Sequence, residues 1–175
     1  MANGASRPLF WSVVGGVVLL DVISKVVAVA TLSRVPVRVI GDWVTLQLVY
    51  NPGAAFGIHV GQYSRWVFLL LALVALVVLG AMVRQTAPSQ WVRLTALALV
   101  CGGAVGNLID RLRSRLGVVD FIDIGVGAWR WPTFHVADMA VTCGAVTLAI
   151  VFWLEGRHAE RAETADRGNA APASS

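Results

Sequence analysis

Residues 66–83 read WVFLLLALVALVVLGAMV, and this stretch decides the fold class of the chain. It contains no charged side chain and stands directly between Arg65 and Arg84. A helix of this length rises about 27 Å, close to the hydrocarbon core of about 30 Å in a lipid bilayer. Basic residues at its two ends can reach the polar surfaces of the membrane. The stretch therefore predicts a transmembrane helix.

Three other stretches are similarly apolar, at about residues 9–30, 94–110 and 136–154. The chain of 175 residues is 57% hydrophobic and 14% charged. A soluble domain carries about 25% charged residues, so we expect an all-α polytopic membrane protein with four spans in one domain, residues 1–155. An even number of spans puts both termini on one side of the membrane. The arginines are shared too evenly between the two sides to show which side that is.

The first span also has the pattern of a cleaved signal peptide, with a short basic N-terminus, an apolar stretch and Ala28-Val29-Ala30. However, Asp21 and Lys25 lie between the apolar stretch and that cleavage site. Four residues apart, they share a helix face and can pair, which lets both enter a membrane helix. We therefore favour an uncleaved first span.

The loop after the first span contains two runs rich in β-branched and aromatic residues, 37–40 and 43–50. They predict a small β-sheet or hairpin outside the membrane. The second run ends in Asn51-Pro52-Gly53, a strong turn signal. From residue 156 the chain is polar and Ala-rich with no apolar period, so we expect a disordered tail over 156–175.

The composition argues against nucleic-acid and metal chemistry. The net charge is +4, but the basic residues are scattered and form no aromatic–basic platform, so we expect no nucleic-acid partner. The histidines and cysteines show no metal-ligand spacing and no His-Glu-x-x-His motif: His59, His135, His158, Cys101 and Cys143. We therefore expect neither a metal nor another cofactor.

Asp120 and Asp138 are the strongest candidates for chemistry. Asp138 stands where a long apolar run begins, and a carboxylate near hydrocarbon is costly and usually functional. Two carboxyl groups close enough to share a proton could activate water. Spacing alone does not show that they meet. Asp138 could simply cap the fourth helix, and Asp120 could be an ordinary loop acid.

The third span ends in a polar face formed by Asn107, Asp110 and Arg111, which are three or four residues apart. Gly102 and Gly106 precede it and form a small-xxx-small face suited to helix packing. Packing explains the glycines but not the polar residues. These indicate either a bonded network at the membrane surface or a binding site.

Five blocks of the sequence, taken together, resemble those of signal peptidase II, the bacterial lipoprotein signal peptidase. They occur in the family's order, and the four-span plan matches: DVISK (21–25), NPGAAFG (51–57), GGAVGNLIDR (102–111), VVDF (118–121) and PTFHVAD (132–138). The resemblance implies an aspartic endopeptidase of the bacterial plasma (inner) membrane. Such an enzyme removes the signal peptide from prolipoproteins by cutting before a diacylglyceryl-modified cysteine.

The resemblance also implies roles for individual residues. The catalytic aspartates would be Asp120 and Asp138. Substrate-binding positions would be Asn51, Gly103, Asn107, Arg111 and His135, with Asp21, Lys25 and Asp110 in supporting roles. Both termini would be cytoplasmic and the site would face outward. The partners would be lipid-modified prolipoproteins and membrane lipid, and we expect a monomer.

His135 departs from the family pattern, which has asparagine three residues before the second catalytic aspartate. A histidine there could donate a hydrogen bond as asparagine would, and this is the behaviour we expect. If it instead became charged, it would favour ionised carboxylates nearby.

Two other functions remain to be distinguished. A presenilin-type protease would need Tyr-Asp and Gly-x-Gly-Asp motifs, which the chain lacks. A four-span transporter could use Asp21 as its coupling acid.

Overall fold

The computed structural model describes residues 6–32, 35–53 and 60–169. Within them lie four long helices: α1 (Ser6–Thr31), α2 (Ser64–Gln85), α3 (Trp91–Arg113) and α4 (Val136–Asn169). A short 3₁₀ helix, Gly61–Tyr63, leads into α2. Each long helix has the length and apolar character needed to cross a membrane, which confirms the four predicted spans. Residues 54–57 of the NPGAAFG block lie outside the described residues.

Helix α3 is the centre of the bundle, because it packs against each of the other three helices. Its glycines allow close approach. A Cβ built on Gly102 would lie 2.8 Å from the Val17 Cβ of α1, and one built on Gly103 would lie 2.5 Å from the Ala137 carbonyl oxygen of α4. Membrane helices commonly use small residues in this way to bring their backbones together.

Gly103 lies in the contact between α3 and α4. The resemblance places it among the substrate-binding residues, but it is buried between α3 and α4, against Ala137 and Val141. A residue without a side chain in that position offers little surface to a peptide. Its role in the structure is to let the two helices meet.

An antiparallel sheet lies beside the helices, with strands in the order β1 (Val37–Ile40), β2 (Val44–Asn51), β3 (Val118–Val126) and β4 (Trp129–Arg130). The first two strands confirm the predicted hairpin. β3 was not predicted as a strand, and it pairs with β2 over residues distant in sequence, with Val49 opposite Asp120. Asp120 is therefore a strand residue rather than a loop acid.

The turn from α3 into β3 depends on Gly117. Its φ of +106° is strained for a residue with a side chain, and a Cβ there would overlap the Asn51 carbonyl. The sheet then rests on the end of α1, where Phe121 packs against Ala28 and Leu32. This packing fixes the position of Asp120 along the long axis of the helix bundle.

The expectation of a disordered tail from residue 156 is wrong for residues 156–169, because α4 continues to Asn169. Residues 170–175 lie outside the described part of the chain. The segment is rich in Ala, Glu and Arg, which favour helix, and a helix that has already formed extends at little cost. Polarity alone was a poor guide here.

A buried ion bridge joins α1 to α3. The Lys25 ammonium lies 2.7 Å from Asp21 Oδ2 within α1 and 2.7 Å from Asp110 Oδ2 of α3. The Lys25 side chain is 4% exposed and that of Asp21 is fully buried. One cation therefore compensates two carboxylates at the end of the bundle that carries the sheet.

We predict that Lys25→Met destabilises the protein strongly. The substitution keeps the length of the side chain but leaves two carboxylates without their cation, and breaking a buried ion pair in this way costs about 3–5 kcal/mol. The matched control is Arg38→Met, which breaks the exposed Arg38–Asp42 pair and should cost about 1 kcal/mol or less. Unfolding in detergent measures both. Equal effects would contradict a special role for Lys25.

We also predict that Gly103→Ala lowers the melting temperature, because its new methyl group would overlap the Ala137 carbonyl. Overpacking of this kind costs about 1–3 kcal/mol. Gly80→Ala in α2 is the control, since nothing lies within 4 Å of a Cβ there. It should be neutral or slightly stabilising. If Gly103→Ala behaved like Gly80→Ala, the α3–α4 contact would be looser than described.

Candidate active site

Asp120 and Asp138 are distant in sequence but meet at one imidazole. Nδ1 of His135 lies 2.7 Å from Oδ1 of Asp120 and 2.9 Å from Oδ2 of Asp138. Asp120 is held in β3, and Asp138 lies in the first turn of α4. The structure thus brings together the two carboxylates whose meeting the spacing could not show.

The backbone beside each aspartate is tied to the Lys25 bridge. Asp21 Oδ1 accepts a hydrogen bond from the Ala137 amide, 2.9 Å away, just before Asp138. Asp110 Oδ2 accepts one from the Val119 amide, 3.2 Å away, just before Asp120. Asp21 and Asp110, which we expected to have supporting roles, therefore hold the backbone just before each aspartate. The contacts also show that Asp21 accepts an amide hydrogen bond at the start of α4, the capping role considered for Asp138.

Two asparagines contact the carboxylates directly. Asn51 Nδ2 donates to Asp120 Oδ2 at 3.1 Å, while its Oδ1 accepts from the Gly53 amide at 3.0 Å. Asn107 Nδ2 donates to Asp138 Oδ1 at 3.4 Å, a long hydrogen bond. Both asparagines are only partly buried. They are the members of the expected substrate-binding set that can face a peptide as well as the aspartates.

Arg111 and His135, by contrast, are buried and bond to other residues of the site. Arg111 Nη2 donates to the Gly53 carbonyl at 2.9 Å, and its Nη1 donates to the Asn107 carbonyl at 3.1 Å. A guanidinium presents several donors in a rigid plane and can hold two carbonyls at once. Arg111 therefore fixes the turn that follows Asn51.

Arg65 is a site-supporting residue that the sequence reasoning missed. Its Nε donates to the Arg111 carbonyl at 2.6 Å, and its Nη2 donates to the Leu112 carbonyl at 3.1 Å. The last carbonyls of a helix lack partners within the helix, and a cation compensates them well. In the sequence, Arg65 marks only the edge of a span, and no spacing signal links it to α3.

Exposure differs sharply across the cluster. The Asp138 side chain is 41% exposed, whereas those of Asp120 and His135 are 4% and 1% exposed. Water or a substrate can therefore approach from the Asp138 side. Asp120 lies deeper, between Asn51 and the imidazole.

His135 lies just outside the fourth span, and its surroundings favour its charged form. Burial lowers the pKa of the imidazole, but hydrogen bonds to the Asp120 and Asp138 carboxylates more than offset this and raise the pKa of His135 above its ordinary value. The sequence led us to expect a neutral hydrogen-bond donor at this position. The geometry favours the alternative.

The same three side chains could in principle hold a metal ion, since their ligand atoms lie within 4.8 Å of one another. Ligands around a tetrahedral zinc stand about 3.3 Å apart, because each bond is about 2.0–2.1 Å long. The 2.7 and 2.9 Å separations from His135 Nδ1 are hydrogen-bond lengths. The arrangement fits a shared proton better than a metal.

Comparison with known proteins gives a consistent result. A family model described as signal peptidase (SPase) II matches residues 13–154. The lipoprotein signal peptidase of Hydrogenovibrio crunogenus is 40% identical over 154 residues, covering 86% of this chain and 88% of the relative. That of Burkholderia mallei is 40% identical over 134 residues, covering 75% and 80%.

A solved structure described as a bacterial membrane enzyme superposes with a TM-score of 0.77 at 27% identity, over 85% of this chain and 90% of that one. A second bacterial membrane enzyme gives 0.72 at 28% identity, over 83% and 92%. The family match spans all five sequence blocks and both aspartates of the cluster. The chain belongs to the signal peptidase II family and is a protease.

Proposed function

We propose that this protein removes the signal peptide from prolipoproteins by cutting the bond before a diacylglyceryl-modified cysteine, with Asp120 and Asp138 activating water. The observation that carries the proposal is the contact of both carboxylates with one nitrogen of His135. Two carboxyl groups that meet at one nitrogen can share a single proton, so that one acts as acid while the other acts as base. This is the protonation state that peptide hydrolysis by two aspartates requires.

The reaction then proceeds without a covalent intermediate. One carboxylate takes a proton from the attacking water while the protonated member donates to the carbonyl oxygen of the scissile peptide. The resulting tetrahedral intermediate collapses when a proton passes to the leaving amide nitrogen. Because Asp138 is the more exposed member, water and the peptide enter on its side. Asn51 and Asn107 hold the two carboxylates in position and can bind the peptide backbone.

The transporter alternative finds less support. Asp21 is fully buried, and its two oxygens accept from Lys25 Nζ and the Ala137 amide. A carboxylate engaged in this way serves as an anchor. A coupling acid would have to release these partners in each cycle, which would loosen the start of α4.

The position of the cluster, taken with the family resemblance, supports an orientation in the membrane. The cluster lies at the end of the bundle where α3 finishes and α4 begins, beside the sheet. The first residues of α1 and the last residues of α4 lie at the opposite end of the bundle. We therefore place both termini in the cytoplasm and the cluster at the outer face of the bacterial plasma membrane. There it can receive a lipid-modified cysteine from the bilayer and water from outside.

We predict that Asp120→Asn and Asp138→Asn each lower cleavage of a diacylglyceryl-modified prolipoprotein by about 10³-fold or more, because neither carboxyl works alone. Both variants should still insert and fold. Asp42→Asn, an exposed aspartate with a 74% exposed side chain, is the matched control and should keep full activity. Near-normal turnover by either variant would remove that residue from the catalytic pair.

We predict that the unlipidated precursor is cleaved at least about 100-fold more slowly than the diacylglyceryl form, since binding energy from the lipid positions the scissile bond. Both forms are assayed with the same purified enzyme, in the presence and absence of EDTA. EDTA should change neither rate. Equal cleavage of both precursors would contradict lipid recognition, and loss of activity in EDTA that zinc restores would contradict metal-free chemistry.

A further inference from the structure

We propose that His135 is a third member of the acid–base centre and holds, in the resting enzyme, the proton that Asp120 and Asp138 share. The inference deepens the proposed function and rests on it. Asparagine, the residue that the family resemblance leads us to expect at this position, could not hold that proton, because an amide cannot store a proton.

The imidazole of His135 faces a hydrogen-bond acceptor at each of its ring nitrogens. Nδ1 faces one oxygen of each catalytic carboxylate, and Nε2 lies 3.1 Å from Asn107 Oδ1. Since Asn107 Nδ2 is directed to Asp138, its oxygen is free to accept from Nε2. Both ring nitrogens therefore face acceptors. A neutral imidazole carries one N–H and satisfies one of them, whereas an imidazolium satisfies both.

The proton can change its place within the cluster without changing the number of protons that the cluster holds. An imidazolium between two carboxylates carries the same number of protons as a neutral imidazole beside one carboxylate and one carboxylic acid. Moving the proton from Nδ1 to Asp120 Oδ1, or to Asp138 Oδ2, breaks one N–H bond and forms one O–H bond with no change in net charge. The transfer distances are 2.7 and 2.9 Å. His135 can thus supply either carboxyl with the proton that the reaction needs.

The charges around the ring also favour the imidazolium. Three carboxylates surround it: Asp120 on β3, Asp138 on α4 and Asp21 on α1, the last 3.9 Å from Nε2. Lys25 opposes the positive charge, but it is already paired with Asp21 and Asp110. Taken together, the cluster has more acids than bases among its charged residues: Asp21, Asp110, Asp120 and Asp138 against Lys25 and Arg111. A positively charged imidazolium at His135 reduces this excess of negative charge.

The consequence concerns the alkaline limit of activity. A group whose pKa is raised keeps its proton to higher pH and loses it as pH rises through that raised value. If His135 stores the catalytic proton, activity persists further into the alkaline range than it does when the two carboxyls hold the proton alone. The substitution His135→Asn should therefore lower the highest pH at which the enzyme is active.

The first experiment compares pH profiles of kcat/KM for wild type, His135→Asn and the control His158→Asn, whose side chain is exposed on the extension of α4. We expect His135→Asn to cleave well at pH 5–6 and its alkaline limb to lie at least about one pH unit lower. That shift is about a tenfold loss on the alkaline limb. The control should follow wild type. Coincident limbs for His135→Asn and wild type would overturn the proposal.

The second experiment needs no activity. The ¹⁵N NMR spectrum of histidine-labelled protein in detergent reports how many ring nitrogens carry a proton, and the His135 signal is the one that His135→Asn removes. We expect both nitrogens to be protonated at pH 7. A single protonated nitrogen from pH 5 to 8 would overturn the proposal, whatever the cleavage assay shows. An imidazolium in a protein that cleaves no prolipoprotein would instead contradict the proposed function.

Discussion

The rest of the site depends on the two buried ion pairs that the Lys25 ammonium makes with Asp21 and Asp110. The ammonium holds Asp21 and Asp110, and these two carboxylates in turn hold the amides of Ala137 and Val119. Each of those amides belongs to the residue just before Asp138 or Asp120. A single cation, set deep between α1 and α3, therefore fixes the distance between a strand and a helix that are separate in the sequence.

This arrangement explains how several charged side chains can be buried at this end of the helix bundle. The desolvation of several charges is costly, and it is tolerable only when each carboxylate finds a cation or an amide. The network satisfies that condition and leaves one side open, at Asp138. Rigid support behind an accessible carboxyl is what a hydrolytic centre requires, because both proton transfers depend on fixed geometry.

Much of the fold follows from local patterns. The four spans could be predicted because lipid imposes a length and an apolar composition on every helix that crosses it. The hairpin could be predicted from its β-branched runs and its turn. The pairing of β2 with β3 could not, because contacts between distant residues leave no periodicity in the sequence. The helical extension of α4 was missed because its polar residues were taken as a sign of disorder rather than of helix propensity.

The candidate site, like the fold, could be predicted from the sequence only in part. Motifs identified the two aspartates, but they did not reveal which neighbours touch substrate and which hold other residues in place. Arg111 shows the difference clearly, since its position suits a peptide grip while its guanidinium is buried on the Gly53 and Asn107 carbonyls. His135 shows it again. Its spacing from Asp138 suggested one contact, whereas the fold gives it both aspartates and Asn107.

The most direct test of the account is a single turnover on a diacylglyceryl-modified prolipoprotein in H₂¹⁸O, with products and enzyme analysed by mass spectrometry. Hydrolysis by an aspartate pair predicts a signal peptide that ends just before the modified cysteine and carries one ¹⁸O in its new carboxyl group. Asp120 and Asp138 should remain unlabelled. Appearance of ¹⁸O in either side chain, or cleavage at another bond, would contradict direct attack by water between these two carboxyls.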